Sequence, residues 1–293
     1  MVSGAALFVP GPAAGGVSRS KATTGEPHRS PARPVPGRDL RSLAADATRL
    51  HAGRIHRLAR PPAVPTPALP CADPDRPRQD GPMRIRPISP DNLAELLADR
   101  VTALPGSDGR RLRVAVDGAA AARPDALADA LVEPLRLRGR PTLRVSAADF
   151  LRPASVRLEY GRHDADAFHD LWLDDGALLR EVLDPLEPGG TGRVLPSLRD
   201  PATDRSTRAP YTELPPGGVL LLDGQLLLGR WLPLDLTVHL ALTPAALARR
   251  TPAEEQWTLP AYARYEAETT PGELADLTVR VDDPRHPALV EQL

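Results

Sequence analysis

Apolar positions fall into regular patterns only after Met83. Leu93, Leu96, Leu97 and Val101 recur at helical spacing, the stripe of an amphipathic helix, and Ser89-Pro90-Asp91 ahead of them supplies a cap and a first turn. Residues 111–116 (RLRVAV) read as a buried strand. Pro124–Leu137 reads as a helix with proline at its first position, and residues 142–145 as a short second strand. A helix is expected over 173–186, a strongly apolar strand over 219–222 (VLLL) and another over 236–240. A short helix over Pro244–Arg250 and a last strand over 277–281 complete the series. Strands alternating with helices predict an α/β domain, a parallel sheet covered on both faces.

Before Met83 the punctuation differs. GPAAGG, RSPARPVPGR and ARPPAVPTPALP are proline, glycine and alanine breaks, and only residues 39–58 could form one amphipathic helix. Residues 1–82 carry 12 basic and 6 acidic residues, whereas the remainder is acidic overall. The chain has 35 prolines but only 3% aromatic residues, a balance that cannot bury enough apolar area to offset chain entropy throughout. The expectation is a disordered Pro/Arg/Ala-rich tail over 1–82, or an extension upstream of a start at Met83, followed by one folded domain over 83–293. The tail's positive charge raises nucleic-acid binding as an option, but it lacks the aromatic interleaving that stacks bases. It also lacks a secretory h-region. No apolar run reaches the roughly 18 residues of a membrane span. The single cysteine, Cys71, excludes an internal disulfide framework and a cysteine-based zinc site. It suits a reducing compartment, so a cytoplasmic protein is expected.

The candidate chemistry lies where the strand ending Val116-Asp117-Gly118 meets the helix at Pro124. A phosphate-binding loop of the form G-x-x-x-x-G-K-S/T belongs there: its glycines let backbone N–H groups face phosphate, its lysine neutralises charge, and its hydroxyl holds Mg²⁺. The eight residues from Gly118 are instead Gly-Ala-Ala-Ala-Ala-Arg-Pro-Asp. The first glycine is kept. Arg123 replaces the second and is poorly suited to left-handed backbone angles. Pro124 replaces the lysine, removing a charge and a donor, and Asp125 replaces the hydroxyl. No lysine follows Lys21 anywhere, and Arg123, the nearby cation, presents a planar fork rather than a point charge. The same three residues also make an ordinary helix start, with proline first and an acid in the first turn.

The ordered segments VAVDG, SAADFLRP, HDADAFHD, VLDPLEPGG, VLLLDGQLLL and ADLTVRVDDP together resemble the uridine kinase-like P-loop family, especially its actinobacterial members, across residues 112–290. The resemblance implies a P-loop parallel-sheet core and transfer of the ATP γ-phosphoryl group, with Mg²⁺, to a nucleoside or another small hydroxyl substrate. By resemblance Gly118, Arg123, Asp125 and Asp223 fall at the nucleotide, and Asp223, ending the VLLL strand before Gly224, falls near Mg²⁺. The family base lies in a Ser-x-Asp-x-Phe pattern, a position held here by Ala148, with Asp149 one residue along. In an extended segment Asp149 would face the opposite side. Arg157, Arg162, His163 and Asp164 match the segment that contacts the nucleoside, and Arg249 and Arg250 the start of the phosphate lid, whose continuation TPAEEQWTLP is acidic. His169 and His239 read as structural or solvated, and Trp257, Tyr262 and Tyr265 as helix packing. Two functions stand side by side: a uridine kinase-like enzyme with catalysis impaired or lost, or a pseudokinase that binds a small molecule or a protein partner. ATP and Mg²⁺ are its cofactors if it is active, and none if it is not.

Overall fold

The computed structural model describes residues 84–104 and 109–291; the tail assigned to 1–82, with its helix over 39–58, lies outside them. At the sheet's centre is β2 (Leu112–Gly118), whose seven residues are all buried. Burial on both faces follows from the sequence: Val114 and Val116 point into one apolar cluster, while Ala115 points into the other. β2 lies parallel between β4 (Val219–Gly224) and β5 (Leu236–Ala241). Beyond β4 lies β3 (Thr142–Ser146), and beyond β5 lies β6 (Leu277–Arg280), both parallel to their neighbours. Two antiparallel strands close the β6 side, β7 (Ala288–Glu291) and the edge strand β1 (Arg84–Pro87). The order is β1-β7-β6-β5-β2-β4-β3. The expected parallel α/β core is therefore present.

Two helices cover one face. In α1 (Pro90–Thr102) the Ser89 hydroxyl accepts from the Asn92 N–H at 3.3 Å, and Leu93, Leu97 and Val101 are buried. α2 (Pro124–Leu137) buries Ala128, Leu131 and Leu135 beside them. The opposite face is filled by Phe150, Leu178, Val182 and Leu183. The single α-helix expected over 173–186 is not found. Asp174 caps an α-turn over Asp175–Leu178, the backbone widens into a π-turn over Leu179–Leu183, and a 3₁₀ turn follows over Asp184–Leu186. Pro185 has no N–H to give the Glu181 carbonyl, which accepts instead from Leu195 N at 3.0 Å. The apolar periodicity is kept while the hydrogen-bond register is not. α3 (Ala165–Leu171), α4 (Pro244–Arg250) and α5 (Leu259–Thr269) stand at the C-terminal ends of the strands. No helix among the described residues is long and apolar enough to cross a membrane.

Candidate functional site

The chain leaves β2 through α2 toward β3 on one side, then crosses from β4 to β5 on the other. Ligand sites of open α/β sheets form where the strand order reverses in this way, at the carboxyl ends. A cleft of about 350 Å³ opens there. Gly118, Ser146 and Asp223 line it from the strand ends, Arg123 from the loop, Asp125 from the first turn of α2, Phe168 and Trp172 from α3 and its C-cap, and Arg230 from beyond β4.

Glycine is required at two of these strand ends. A Cβ on Gly118 would sit 3.0 Å from Leu240 Cβ and 3.1 Å from its carbonyl oxygen; one on Gly224 would sit 2.6 Å from Ala147 Cβ. After Gly118 the chain makes a 3₁₀ turn over Ala120–Ala122 and reaches Arg123 at φ 63°, ψ 55°. The left-handed angles to which arginine is poorly suited are adopted nonetheless, at the position where a phosphate-binding loop has its second glycine. The guanidinium then folds onto Asp125: Nε lies 2.9 and 3.1 Å from its two oxygens and Nη2 2.8 Å from Oδ2. This bond holds the Asp125 carboxyl below the usual carboxylate range and raises the guanidinium. An acid in the first turn also suits the positive end of α2. The first turn of α2 thus carries an acid paired with the arginine that precedes it.

Asp223 is committed as well. It is 2% exposed, Arg144 Nε donates to its Oδ1 at 2.7 Å, and the Ser146 hydroxyl donates to its Oδ2 at 3.1 Å. Arg144 also reaches Asp129 at 2.8 Å; the Asp223 bond foremost, with these carboxylates, raises its guanidinium. Arg230, which lines the cleft with Arg123, bonds Asp175 at 3.2 Å and the carbonyls of Leu226 and His169.

Beneath the loop lies a buried network that the sequence did not reveal. Asp117, fully buried, accepts from Leu227 N at 2.9 Å through Oδ1, and through Oδ2 from His239 Nδ1 at 2.7 Å and the Tyr265 hydroxyl at 3.1 Å. Tyr265 accepts in turn from Leu228 N at 2.9 Å. Burial, and then the Asp117 charge, push the Tyr265 phenol upward. His239 is buried and tied to Asp117; Tyr265 does more than pack, since its hydroxyl ties α5 to the end of β2.

The nucleotide-side candidates Gly118, Arg123, Asp125 and Asp223 are therefore brought to one cleft. The others are not. Ala148 lines the cleft, whereas Asp149, in a 3₁₀ turn over Ala147–Phe150, does not; its side chain meets Ser197, and burial raises its carboxyl above the ordinary value. Arg157 is 6% exposed. It donates to the Arg152 carbonyl at 2.7 Å, pairs with Asp204 at 3.2 Å, and lies 5.0 Å from the Trp172 ring centroid, propping that ring from behind. Asp164 caps α3 through Ala167 N at 2.7 Å. Arg162 is exposed, as is His163, whose ring lies 5.5 Å from Trp257. Arg250 donates to the Val281 carbonyl at 2.6 Å, and Arg249 is exposed away from the cleft. Arg144, Ser146 and Arg230 are cleft-side groups that sequence reasoning missed.

This donor set does not fit a magnesium-bound triphosphate. Such a group needs unpaired cations and backbone donors around phosphate and a free carboxylate for the metal's waters. Here Arg123, Arg144 and Arg230 each hold a carboxylate, both Asp223 oxygens are occupied, and no group of three or more histidine, cysteine or acidic side chains among the described residues could hold a metal.

No protein-family model matches the chain, and neither does any curated protein. Among solved structures it is similar to a possible uridine kinase from Bacillus stearothermophilus, with 19% identity and a TM-score of 0.52 over 64% of this chain and 97% of that one. A candidate fructose transport system kinase from Silicibacter sp. TM1040 fits more loosely, with 20% identity and a TM-score of 0.43 over 64% of this chain and 90% of that one. What the chain shares with the first of these is the fold, a mostly parallel sheet flanked by helices.

Proposed function

We propose that residues 83–293 form a uridine kinase-like domain that has kept its ligand cleft and lost ATP-dependent phosphoryl transfer, so that it works as a cytoplasmic small-molecule-binding pseudokinase. The observation that supports this reading is the Arg123–Asp125 pair, a carboxylate held at the start of the helix that follows β2. Catalysis in this class is largely positioning and charge stabilisation. Removing one such group costs about 10²–10³ in rate; here the lysine and hydroxyl positions are Pro124 and Asp125, and the base position is Ala148. The ligand favoured by the remaining groups is a nucleoside or a similar small hydroxyl compound. Phe168 and Trp172 offer ring faces, and Ser146, Gln225 and Arg230 offer polar contacts beside them. These residues bind and orient; none of them stands ready to accept a hydroxyl proton.

Calorimetry of the full chain with Mg-ATP and with uridine, beside a uridine phosphorylation assay, tests the reading. Expected are no ATP heat and no turnover, with nucleoside binding retained. Recovery of ATP binding in the variant Arg123→Gly, Pro124→Lys, Asp125→Thr supports it further. Micromolar ATP affinity with turnover in the parent chain refutes it.

A further inference from the structure

A second cavity, of about 390 Å³, lies on the far side of the 119–123 turn, between the end of β5, α4 and α5. That volume is within the range of small-ligand pockets. Its wall is mostly aliphatic, with Leu240, Leu242, Leu247 and Leu259 facing one another across it. Four side chains bring polarity: His239, Tyr262, Tyr265 and Glu266. Both tyrosine hydroxyls are engaged, Tyr265 with Asp117 and Leu228 N, and Tyr262 with Gln225. His239 differs. The Asp117 carboxylate can only accept, so Nδ1 carries the hydrogen of the 2.7 Å bond between them; in the neutral imidazole Nε2 is then an acceptor, with no protein partner among the described residues. A buried carboxylate thus fixes the tautomer and the aim of an imidazole whose other nitrogen is uncommitted. The rim carries the exposed Glu266, and among the described residues no arginine or lysine lines the cavity.

We infer that this cavity is a second small-molecule site, made for an uncharged or cationic apolar ring that donates one hydrogen bond to His239 Nε2. The aliphatic wall supplies affinity through burial, the single oriented acceptor supplies direction, and the Glu266 charge with no cation nearby rejects phosphates and carboxylates. It differs in kind from the first cleft, where two arginines, two carboxylates and two aromatic rings line the surface. Leu226 alone lines both.

Titrating the full-length chain with phenol, toluene and phenyl phosphate tests this, read by calorimetry and by the imidazole NMR signals. Phenol is expected to bind at millimolar concentration and to shift the His239 signal. Toluene, of the same shape but without the donor, is expected to bind about fivefold more weakly, the worth of one hydrogen bond, and phenyl phosphate more weakly still. One variant separates the site from a folding defect. Ala248→Trp, changed at an exposed position of α4 on the cavity rim, should abolish phenol binding with an unchanged thermal midpoint. His239→Phe should erase the preference for phenol over toluene. Equal binding of phenol and toluene by the parent, undiminished phenol binding in Ala248→Trp, or phenol shifts confined to the Trp172 indole would each overturn the assignment.

Discussion

Replacing Arg144 by alanine separates a structural clamp from an incidental surface pair. The Arg144 guanidinium is 30% exposed, but the carboxylate that it holds is 3% exposed. Without Arg144, Asp223 keeps only the Ser146 hydroxyl at 3.1 Å. Breaking a fully buried pair by deleting one partner costs about 3–5 kcal/mol, because an uncompensated charge stays inside. Arg144 is partly solvated and Ser146 remains, so the expected loss is smaller, about 2–4 kcal/mol. Urea unfolding at neutral pH measures it. Arg144→Met combined with Asp223→Asn removes both charges and should recover most of the loss, since the cost lies in the orphaned carboxylate and not in the missing attraction. Magnesium gives a second reading: millimolar Mg²⁺ should stabilise Arg144→Ala, where the carboxylate is open to a cation, and leave the parent unchanged. A loss below about 1 kcal/mol, or a double variant no better than Arg144→Ala, would refute the argument that Arg144 neutralises a buried charge at this cleft.

Three further outcomes follow from the geometry. Tyr265→Phe strips a donor from Asp117 and an acceptor from Leu228 N, both buried, and should cost about 1–3 kcal/mol in urea unfolding with the far-ultraviolet spectrum unchanged. Gly224→Ala puts a methyl group 2.6 Å from Ala147 Cβ and should cost about 1–3 kcal/mol as the strand ends shift; no change in the urea midpoint would count against the close packing. Asp149 has its carboxyl raised, by burial first and then by the Asp223 charge. A raised group stabilises the fold below its unfolded pKa and loses that contribution as pH rises through the folded value. Asp149→Asn cannot ionise, so it should exceed the parent's stability at about pH 7 and match it at about pH 3.

The central part of the fold was legible because burial on both faces leaves continuous apolar runs, as in VAV and VLLL. Gly118, Arg123, Asp125 and Asp223 were placed together by the resemblance and the loop motif; in the structure Gly118 and Asp223 lie at the ends of adjacent buried strands, and Arg123 and Asp125 at the start of the helix that follows. The edge was not legible. β1 is the exposed segment RIRP, with no alternation to show; it is a strand only because residues 288–291 run beside it. The clamp on Asp223 escaped because Arg144 is 79 residues away and reads as one polar position in TLRVS. An arginine between Leu143 and Val145 in a parallel strand was the available signal, since a residue there needs a partner. The Asp117 network spans up to 148 residues and left no local trace. Arg157, matched to a ligand segment, became a prop because its partner Asp204 lies 47 residues on, in a loop with no periodicity to place it.

The ring that Arg157 braces gives the molecule a light-based reporter. The chain has three tryptophans. Trp172 on the cleft wall and Trp257 lie 5.6 Å apart, close enough to exchange excitation energy, whereas Trp231 is 96% exposed. A water-soluble quencher such as iodide would silence Trp231 first. The emission left over would then come from the cleft pair, and its colour and intensity would register occupancy of the site without a label or an assay of turnover.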